Sequence, residues 1–382
     1  MAISPNMMED MAIEIRRMYE DAEIQLLQRI ANRLVRDGEA PDWMMVKLAE
    51  LTPLVREINS VFVGLNRTVP REIEKLIELA YLAGNESVVQ DLLSVLAMME
   101  DDDVDITERP ELNNAIGPFP PGTKIAQVIA TVETMGGINT GAVEALAAAA
   151  TGNLVDKHVP IVRAAQDIYR RIILDVGANP LIGTETRLQA TQRALNRFAD
   201  QGIRTFVDRS GRAWDMPRYA EMAVRTMIGQ ASLQGHADQQ KSFGMDLVQV
   251  SDHAEECPLC RPWEGKILSL SGNHPEYPSI AEARAAGLFH TYCGHRANTY
   301  IEGYTKPLRK TEDPGGYEEK QKQRSLERNI RKWKKRAAVA ITPEEEQLAK
   351  TKVREWQSAM SEFIEDTGRR RKREREQITK AR

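Results

Sequence analysis

The residues best suited to chemistry in this sequence are cysteines and histidines concentrated in one stretch. All three cysteines and four of the six histidines are found there: His253, Cys257, Cys260, His274, His290, Cys293 and His295. The spacing of Cys257 and Cys260 lets two thiolates of one turn face a single ion, and His290 and Cys293 repeat that spacing. Zinc prefers thiolate and imidazole donors, so the pattern predicts a structural Zn²⁺ held by Cys257, Cys260, His290 and Cys293, with His295 as the alternative to His290.

The same stretch is also compatible with reduced, packed cysteines and surface histidines, an alternative that the sequence leaves open. A redox pair is disfavoured because the strand and helix context of a thioredoxin-like site is missing. His253-Ala-Glu255 followed by the cysteines has the letters of a zinc deaminase signature, but only one residue separates Glu255 from Cys257, whereas that chemistry uses two separate helices. With no His-Glu-x-x-His, phosphate loop or nucleophile elbow either, the sequence predicts a protein that is not an enzyme.

A short strand and a short helix are expected to position these ligands. The run Met245–Ser251 predicts a strand, and Ser279 with Glu282 forms a capping-box signature for a short helix that Gly287 ends. We therefore assign residues 241–304 to a small α+β Cys/His-rich module. Upstream of it, Arg225 and Asp208 are better explained by an internal ion pair or a cap than by catalysis.

The rest of the chain is predicted to be mainly α. Aromatic residues make up only 5% of the 382 residues, and apolar residues recur every three or four positions over most of the N-terminal third. The expected organisation is a helical N-terminal bundle or arm at 1–100, a linker or long ordered loop at 101–122, a helical middle domain with a small hairpin at 123–240, the module at 241–304, and a basic helical C-terminal tail at 305–382. Within the first region we expect separate helices at about 8–36, at about 42–63, after Pro70, and at about 86–100.

Membrane association is not expected. No stretch approaches the roughly 18 uninterrupted apolar residues of a membrane span. The first five residues lack the basic region and apolar run of a signal peptide. We therefore expect synthesis in a cytoplasm, with no membrane partner.

Charge is distributed unevenly along the chain. Residues 1–110 carry 22 acidic and 11 basic side chains, whereas residues 305–382 carry 23 basic and 14 acidic ones. Such asymmetry favours an assembly or nucleic-acid role, although solvated helix faces of different sign would explain it equally well. The predicted phosphate contacts, which would be nonspecific and sensitive to salt, are Lys332, Lys334, Lys335, Arg336, Arg369, Arg370, Arg371, Lys372 and Arg373. From Arg369 onward the chain is expected to be solvated or disordered unless bound.

Several long runs carry a resemblance to a known family. They are Val207–Arg212, Tyr219–Thr226, Asp246–His253, Cys260–Gly272, Tyr277–Ser279 and Cys293–Arg296. Together they resemble the phage minor capsid protein family (the minor capsid protein 2 type), over most of the chain up to about residue 310. The Cys-x-x-Cys with a later His-x-x-Cys also resembles, more distantly, the head-morphogenesis proteins of Mu-type phages.

The resemblance implies a structural protein of a tailed-phage head. Its expected location is the virion, after synthesis in the host bacterial cytoplasm, in several copies beside the portal protein, the major capsid protein or both. Contact with packaged DNA is expected from the charge of the basic C-terminal region, which lies outside the part of the chain that carries the resemblance. The alternative is a zinc-dependent DNA-binding or hydrolytic protein acting in DNA packaging or injection. That alternative requires an open metal position with an acid beside it, for which Asp252, Glu255 and Glu256 are the nearby candidates.

Overall fold

The protein, described here by a computed structural model, is mainly α, as predicted. The structure describes residues 3–36, 42–99, 103–178, 186–201, 204–207, 213–253, 257–306, 308, 311 and 316–378, with only the backbone for residues 5, 177, 178, 201, 204–207, 213 and 214. Asp208, Glu255 and Glu256 lie outside the described residues. Among those described, no helix is both long and apolar enough to cross a membrane.

Helices account for most of the described chain. They are α1 (Pro5–Val35), α2 (Trp43–Ala49), α3 (Leu51–Leu96), α4 (Pro110–Ala115), α5 (Ile125–Thr134), α6 (Thr140–Val155), α7 (His158–Ala178), α8 (Arg187–Gln201), α9 (Met216–Ser242), α10 (Ile280–Ala285), α11 (Gly316–Ala338) and α12 (Pro343–Thr367). The strands are β1 (Arg204–Val207), β2 (Ala213–Asp215), β3 (Leu247–Val250), β4 (Ile267–Ser269) and β5 (Ala297–Thr299). The predicted hairpin is present, since β1 pairs antiparallel with β2.

The chain forms two compact units, each built from three separate segments. The first unit comprises residues 1–12, 72–150 and 222–317, and the second comprises residues 13–71, 151–221 and 318–382. The sequence suggested consecutive regions along the chain. Each compact unit instead joins segments that are far apart in sequence. Local sequence patterns carry no information on such long-range packing.

Helix α3 is longer than the sequence suggested. The separate helices expected before and after Pro70 form one helix of 46 residues with Pro70 inside it. Proline removes one backbone donor, but the apolar stripe continues through the position, with Val69 and Ile73 buried on either side of it. Packing of that stripe overrides the local tendency to break the helix.

Residues 103–124 form an ordered connection that includes the short helix α4. Its apolar side chains Ile106, Leu112 and Ile116 are buried in a core that also contains residues of α3 and α5. The carboxylate of Asp105 accepts hydrogen bonds from the backbone of Thr107 at 2.9 Å and of Gly122 at 2.6 Å. Of the two possibilities that the sequence left open, the structure therefore has the ordered one.

The Cys/His-rich module contains a small antiparallel sheet in the order β4-β3-β5. The predicted strand corresponds to β3, and the predicted capping box is present: Ser279 accepts from the backbone of Glu282, and Glu282 accepts from the backbone of Ser279 at the start of α10. Val248, Val250 and Leu268 pack with Cys260 in one buried cluster. The cysteines therefore belong to the core of the module.

The chain after α12 is packed, which contradicts the expectation of a solvated segment. Helix α12 ends at Gly368, whose φ of 66° is in the left-handed region that favours glycine. Beyond it, Arg375 and Glu376 are only 3% and 2% exposed. Arg375 pairs with the distant Glu221 and Glu327, which a local count of charges does not reveal, whereas Glu376 pairs with Arg371 of the same segment.

Candidate metal centre

Two short turns present the predicted ligands. In the first, the backbone N–H groups of Cys260 and Arg261 both donate to the carbonyl of Cys257 at 2.9 Å. In the second, the N–H of Cys293 donates to the carbonyl of His290 at 3.0 Å. A two-residue spacing closed by such a turn directs both side chains of each pair to the same side.

The turns bring sulfur and nitrogen atoms of the two pairs together. The Sγ atoms of Cys260 and Cys293 are 3.6 Å apart, and Cys257 Sγ lies 3.1 Å from His290 Nε2. Potential ligand atoms form two overlapping groups of three that share Cys260, one with Cys257 and His290 and one with Cys293 and His295, so the four predicted ligands do not form a single group. Tetrahedral zinc with bonds of about 2.3 Å to sulfur would separate two sulfurs by roughly 3.8 Å. The observed separation is close to that value.

Both imidazoles are oriented as metal ligands are. His295 presents Nδ1 to Cys293 Sγ at 3.4 Å, while its Nε2 lies 2.6 Å from Oε1 of Glu264. His290 presents Nε2 to the sulfurs and donates from Nδ1 to the carbonyl of Thr291 at 2.7 Å. An oxygen acceptor on one nitrogen fixes the tautomer and leaves the other nitrogen free to bind a metal.

The sulfurs differ in their protonation tendencies. The hydrogen bond with Cys260 lowers the pKa of Cys293, as do His295 and its backbone N–H, against the opposing effect of burial. The same hydrogen bond and burial raise the pKa of Cys260. Burial alone would lower the pKa of His295, but Cys293 and Glu264 raise it. Cys293 is therefore the sulfur that most readily carries the negative charge that a metal ligand needs.

The backbone of the second turn is constrained. Phe289 and Tyr292 have φ values of 56° and 71°, a region that non-glycine residues rarely adopt. The N–H of Tyr292 donates to Thr226 Oγ1 at 3.1 Å, and its ring lies 4.3 Å from the guanidinium of Arg225. Arg225 is in turn 3.6 Å from Glu9, which confirms that it forms an internal ion pair. These contacts hold a strained turn that carries two of the ligands.

The remaining members of the cysteine and histidine stretch behave differently. His274 stacks on Tyr277 and belongs to neither ligand group. His253 donates to the carbonyl of Gly294 at 2.7 Å, and its ring packs against that of His295. Glu264, which is 1% exposed and 31 residues away from His295, was not predicted from the sequence. The sequence signal that could have pointed to Glu264 is its place four residues after Cys260 and directly before Gly265.

The predicted nucleic-acid contacts are placed unevenly. Lys335 is buried and paired with Glu23, and Arg336 donates to Asp200 at 2.6 Å. Intramolecular contacts also engage Lys332, Lys334, Arg369 and Arg371. Arg370 and Arg373 are exposed, and Lys372 is half-buried.

Comparison with known proteins gives the family. Residues 127–365, more than half of the chain, match the sequence profile described as phage minor capsid protein 2. The chain belongs to this family. A protein of Lactococcus phage LL-H described as "Structural protein" is 25% identical over 209 residues, which cover 49% of this chain and 55% of that relative. The chain thus spans about half the length of this curated relative. No solved structure matches the chain significantly.

Membership in the phage minor capsid protein 2 family confirms the resemblance and corrects its extent. The resemblance was expected to end at about residue 310, whereas the match continues through α11 and most of α12. It also includes every member of the Cys/His cluster. The candidate metal centre and the basic helix α11 therefore both lie within the region matched by the family profile, and residues 369–373 lie beyond it.

Proposed function

We propose that this minor capsid family protein is a multi-copy structural component of the tailed-phage head. Its Cys/His cluster would hold a structural Zn²⁺, and its partners would be the portal protein or the major capsid protein. The observation that carries the proposal is the placement of the cluster, in which Cys260 is fully buried among the apolar side chains of the module. A metal at that place stabilises the fold by joining two turns about thirty residues apart.

The donor set supports zinc. Cys257, Cys260 and Cys293 would supply three ligands, and His290 would supply the fourth, with His295 as the alternative. Both imidazoles already have an oxygen partner on the nitrogen that faces away from the sulfurs. When bound, the ion supplies a cross-link in a module whose apolar core is small.

The structural role is favoured over the zinc-dependent hydrolytic or DNA-binding alternative. The five sulfur and imidazole donors form two groups of three that share Cys260, and a donor from each turn pair would complete four-coordination, whereas catalytic zinc needs a position for water. The carboxylate of Asp252 accepts hydrogen bonds from the backbone and hydroxyl of Thr311, and that of Glu264 is directed at His295. Neither of these acids is poised to activate a metal-bound water.

Packaged DNA is proposed as a further contact of the C-terminal basic residues. Exposed Arg370 and Arg373 suit phosphate contact best, because their side chains need not leave a buried position. Such binding would weaken with rising salt. If deleting residues 369–382 leaves duplex binding and its salt dependence unchanged, these residues are not the contact.

Two measurements test the proposal. Mass spectrometry of purified procapsids and virions should find the chain in at least one of them, and its absence from both would reject the structural role. Metal analysis with X-ray absorption should find one zinc with sulfur and nitrogen ligands. An ion with three protein ligands and a water would favour the enzyme alternative, and no metal at all would favour plainly packed cysteines.

Histidine variants identify the fourth ligand. His290→Ala and His295→Ala should differ in zinc affinity, with the larger loss marking the ligand. His274→Ala is the matched control, since this ring lies outside both ligand groups. Equal and small effects of all three variants would exclude a histidine ligand.

A further inference from the structure

A separate group of charged residues surrounds a cavity in the second unit. The cavity has a volume of about 250 Å³. Most of its basic and hydroxyl groups come from α11, and another arginine comes from the start of α9. The residues that matter are Arg218, Ser325, Arg328, Asn329, Arg331 and Lys332.

Every carboxylate lining this cavity already has a basic partner. The pairs are Asp215 with Arg218 at 3.2 Å, Asp200 with Lys332 at 3.3 Å, and Glu20 with Arg331 at 3.4 Å. Two of these carboxylates are shared, because Asp200 also binds Arg336 and Glu20 also binds Arg16. The cavity is lined by three carboxylates and five cations (Arg218, Arg328, Arg331, Lys332 and Lys335), so positive charge exceeds negative charge among its lining residues.

The carboxylates that line the cavity pair with Arg218, Arg331 and Lys332, and none of them pairs with Arg328. The structure gives it no ion pair or hydrogen bond with any described residue, although it is half-buried at the cavity wall. Burial and the positive charge of Arg218 lower its pKa. Burial and the positive charge of Arg16 also lower the pKa of Arg331, to about 10. Both guanidinium groups are thus held where an additional negative charge would stabilise them.

We propose that this cavity binds a phosphate group, with Arg328 as its principal cation. Guanidinium groups bind phosphate oxygens through paired, charge-assisted hydrogen bonds, and Arg218 and Arg328 would approach from two different helices. The hydroxyl of Ser325, one turn before Arg328, adds a neutral donor. A phosphate carries up to two negative charges and so suits the excess of cations better than a carboxylate does.

Two sources could supply the phosphate, namely the free anion or a phosphodiester of DNA. The cavity is lined by Lys332 and Lys335, which are also among the residues predicted to contact DNA, but not by Arg370 or Arg373. Its proposed occupancy does not depend on zinc or on a place in the phage head. Phosphate binding would therefore remain possible if the protein bound no zinc or lay outside the phage head.

The test uses the full-length protein, sodium phosphate and a matched arginine variant. Isothermal titration at constant ionic strength should show saturable phosphate binding to the wild type. Arg328→Gln should weaken it by at least about tenfold, the loss of one charge-assisted pair. Arg354→Gln removes the same charge from an exposed position on α12, where Nε donates to the carbonyl of Lys350 at 3.4 Å, and should leave affinity unchanged.

The outcomes separate the site from general charge effects. No saturable binding to the wild type, or equal losses in the two variants, would overturn the proposal. Circular dichroism should show both variants folded, and Arg328→Lys should retain part of the affinity if Arg328→Gln is unstable. Anisotropy with a 20-base-pair duplex identifies the source: competition by phosphate and a loss in Arg328→Gln indicate a DNA phosphate, and unchanged DNA binding indicates the free anion.

Discussion

Nε2 of His295 lies 2.6 Å from Oε1 of Glu264, and both side chains are buried. The carboxylate fixes the imidazole so that Nδ1 faces Cys293. A carboxylate behind a ligand histidine both orients the ring and increases its basicity. Glu264 is therefore placed to position His295 for the proposed zinc, and its effect on zinc binding should show whether His295 completes the ligand set.

Replacing Glu264 by glutamine should weaken zinc binding. The amide keeps the shape of the side chain and can still accept a hydrogen bond, but it lacks the charge that strengthens the donor ring. We expect zinc affinity to fall by roughly tenfold, at the lower end of the range for such partners, in competition with a chromophoric chelator. Glu276→Gln, which changes an exposed carboxylate of the same module, should leave affinity unchanged. Equal affinity of the wild type and Glu264→Gln would mean that the carboxylate does not support the metal.

Gly235 should tolerate no side chain. A Cβ at this position of α9 would lie 2.0 Å from the carbonyl oxygen of Tyr81 on α3, and one at Gly84 would lie 1.9 Å from that of Ser232. The two helices thus approach closely at a pair of glycines. Gly235→Ala should lower the free energy of unfolding by about 3 kcal/mol or more, because backbone would have to move.

A second glycine of α3 provides the control for that substitution. Nothing lies within 4 Å of a Cβ built at Gly64, so Gly64→Ala should be neutral or stabilise by up to about 1 kcal/mol through helix propensity. Urea unfolding monitored by circular dichroism measures both variants. Similar free energies of unfolding for Gly235→Ala and Gly64→Ala would show that α3 and α9 can move apart at little cost.

The sequence predicted the features that depend on neighbouring residues. The ligand pairs could be found because each is closed by a single turn, and the capping box of Ser279 and Glu282 because it spans one turn of helix. Mainly α structure followed from apolar periodicity. Each of these features is encoded within a few positions, so no tertiary information was needed.

Features that depend on distant partners could not be predicted. Glu264 contacts a ring 31 residues away, and Arg375 contacts carboxylates 48 and 154 residues away. In a run of basic residues such as 369–375, the local sequence does not distinguish buried side chains from exposed ones. The continuity of α3 through Pro70 has the same origin, because packing of the surrounding apolar stripe decides it.

His158 should make the stability of the second unit depend on pH. Its Nδ1 lies 2.7 Å from Oδ1 of Asn66 and its Nε2 lies 2.8 Å from the hydroxyl of Tyr19, so the neutral ring has both partners. Burial lowers its pKa from 6.5 to about 4. Below pH 6.5 His158 binds a proton in the unfolded chain but stays neutral in the folded protein. The free energy of unfolding therefore falls as the pH decreases toward 4.

The loss attributable to His158 should be about 2 kcal/mol between pH 7 and pH 5. His158→Gln lacks this proton uptake, so its stability should decline less over the same interval, although it is less stable than the wild type at pH 7. Urea unfolding at several pH values gives the two slopes. Identical slopes would indicate that His158 is protonated as readily in the folded protein as in the unfolded chain.

Arg375 should hold the C-terminal segment in the second unit. Its Nε donates to Glu327 at 2.8 Å and its Nη1 donates to Glu221 at 2.7 Å, all with buried side chains. Arg375→Met would remove a cation from between two buried carboxylates, and we expect a loss of about 3 to 5 kcal/mol in the free energy of unfolding. Most of the cost arises because the buried carboxylates of Glu221 and Glu327 each lose a positively charged partner.

The neighbouring Arg373 is exposed, and Arg373→Met makes the same chemical change without uncovering a buried charge. It should alter stability by less than about 0.5 kcal/mol. Limited proteolysis adds a local measurement, because release of the segment in Arg375→Met should make residues 369–378 susceptible to cleavage while the wild type and Arg373→Met resist. If both variants are cleaved as slowly as the wild type, the ion pairs of Arg375 do not retain the segment.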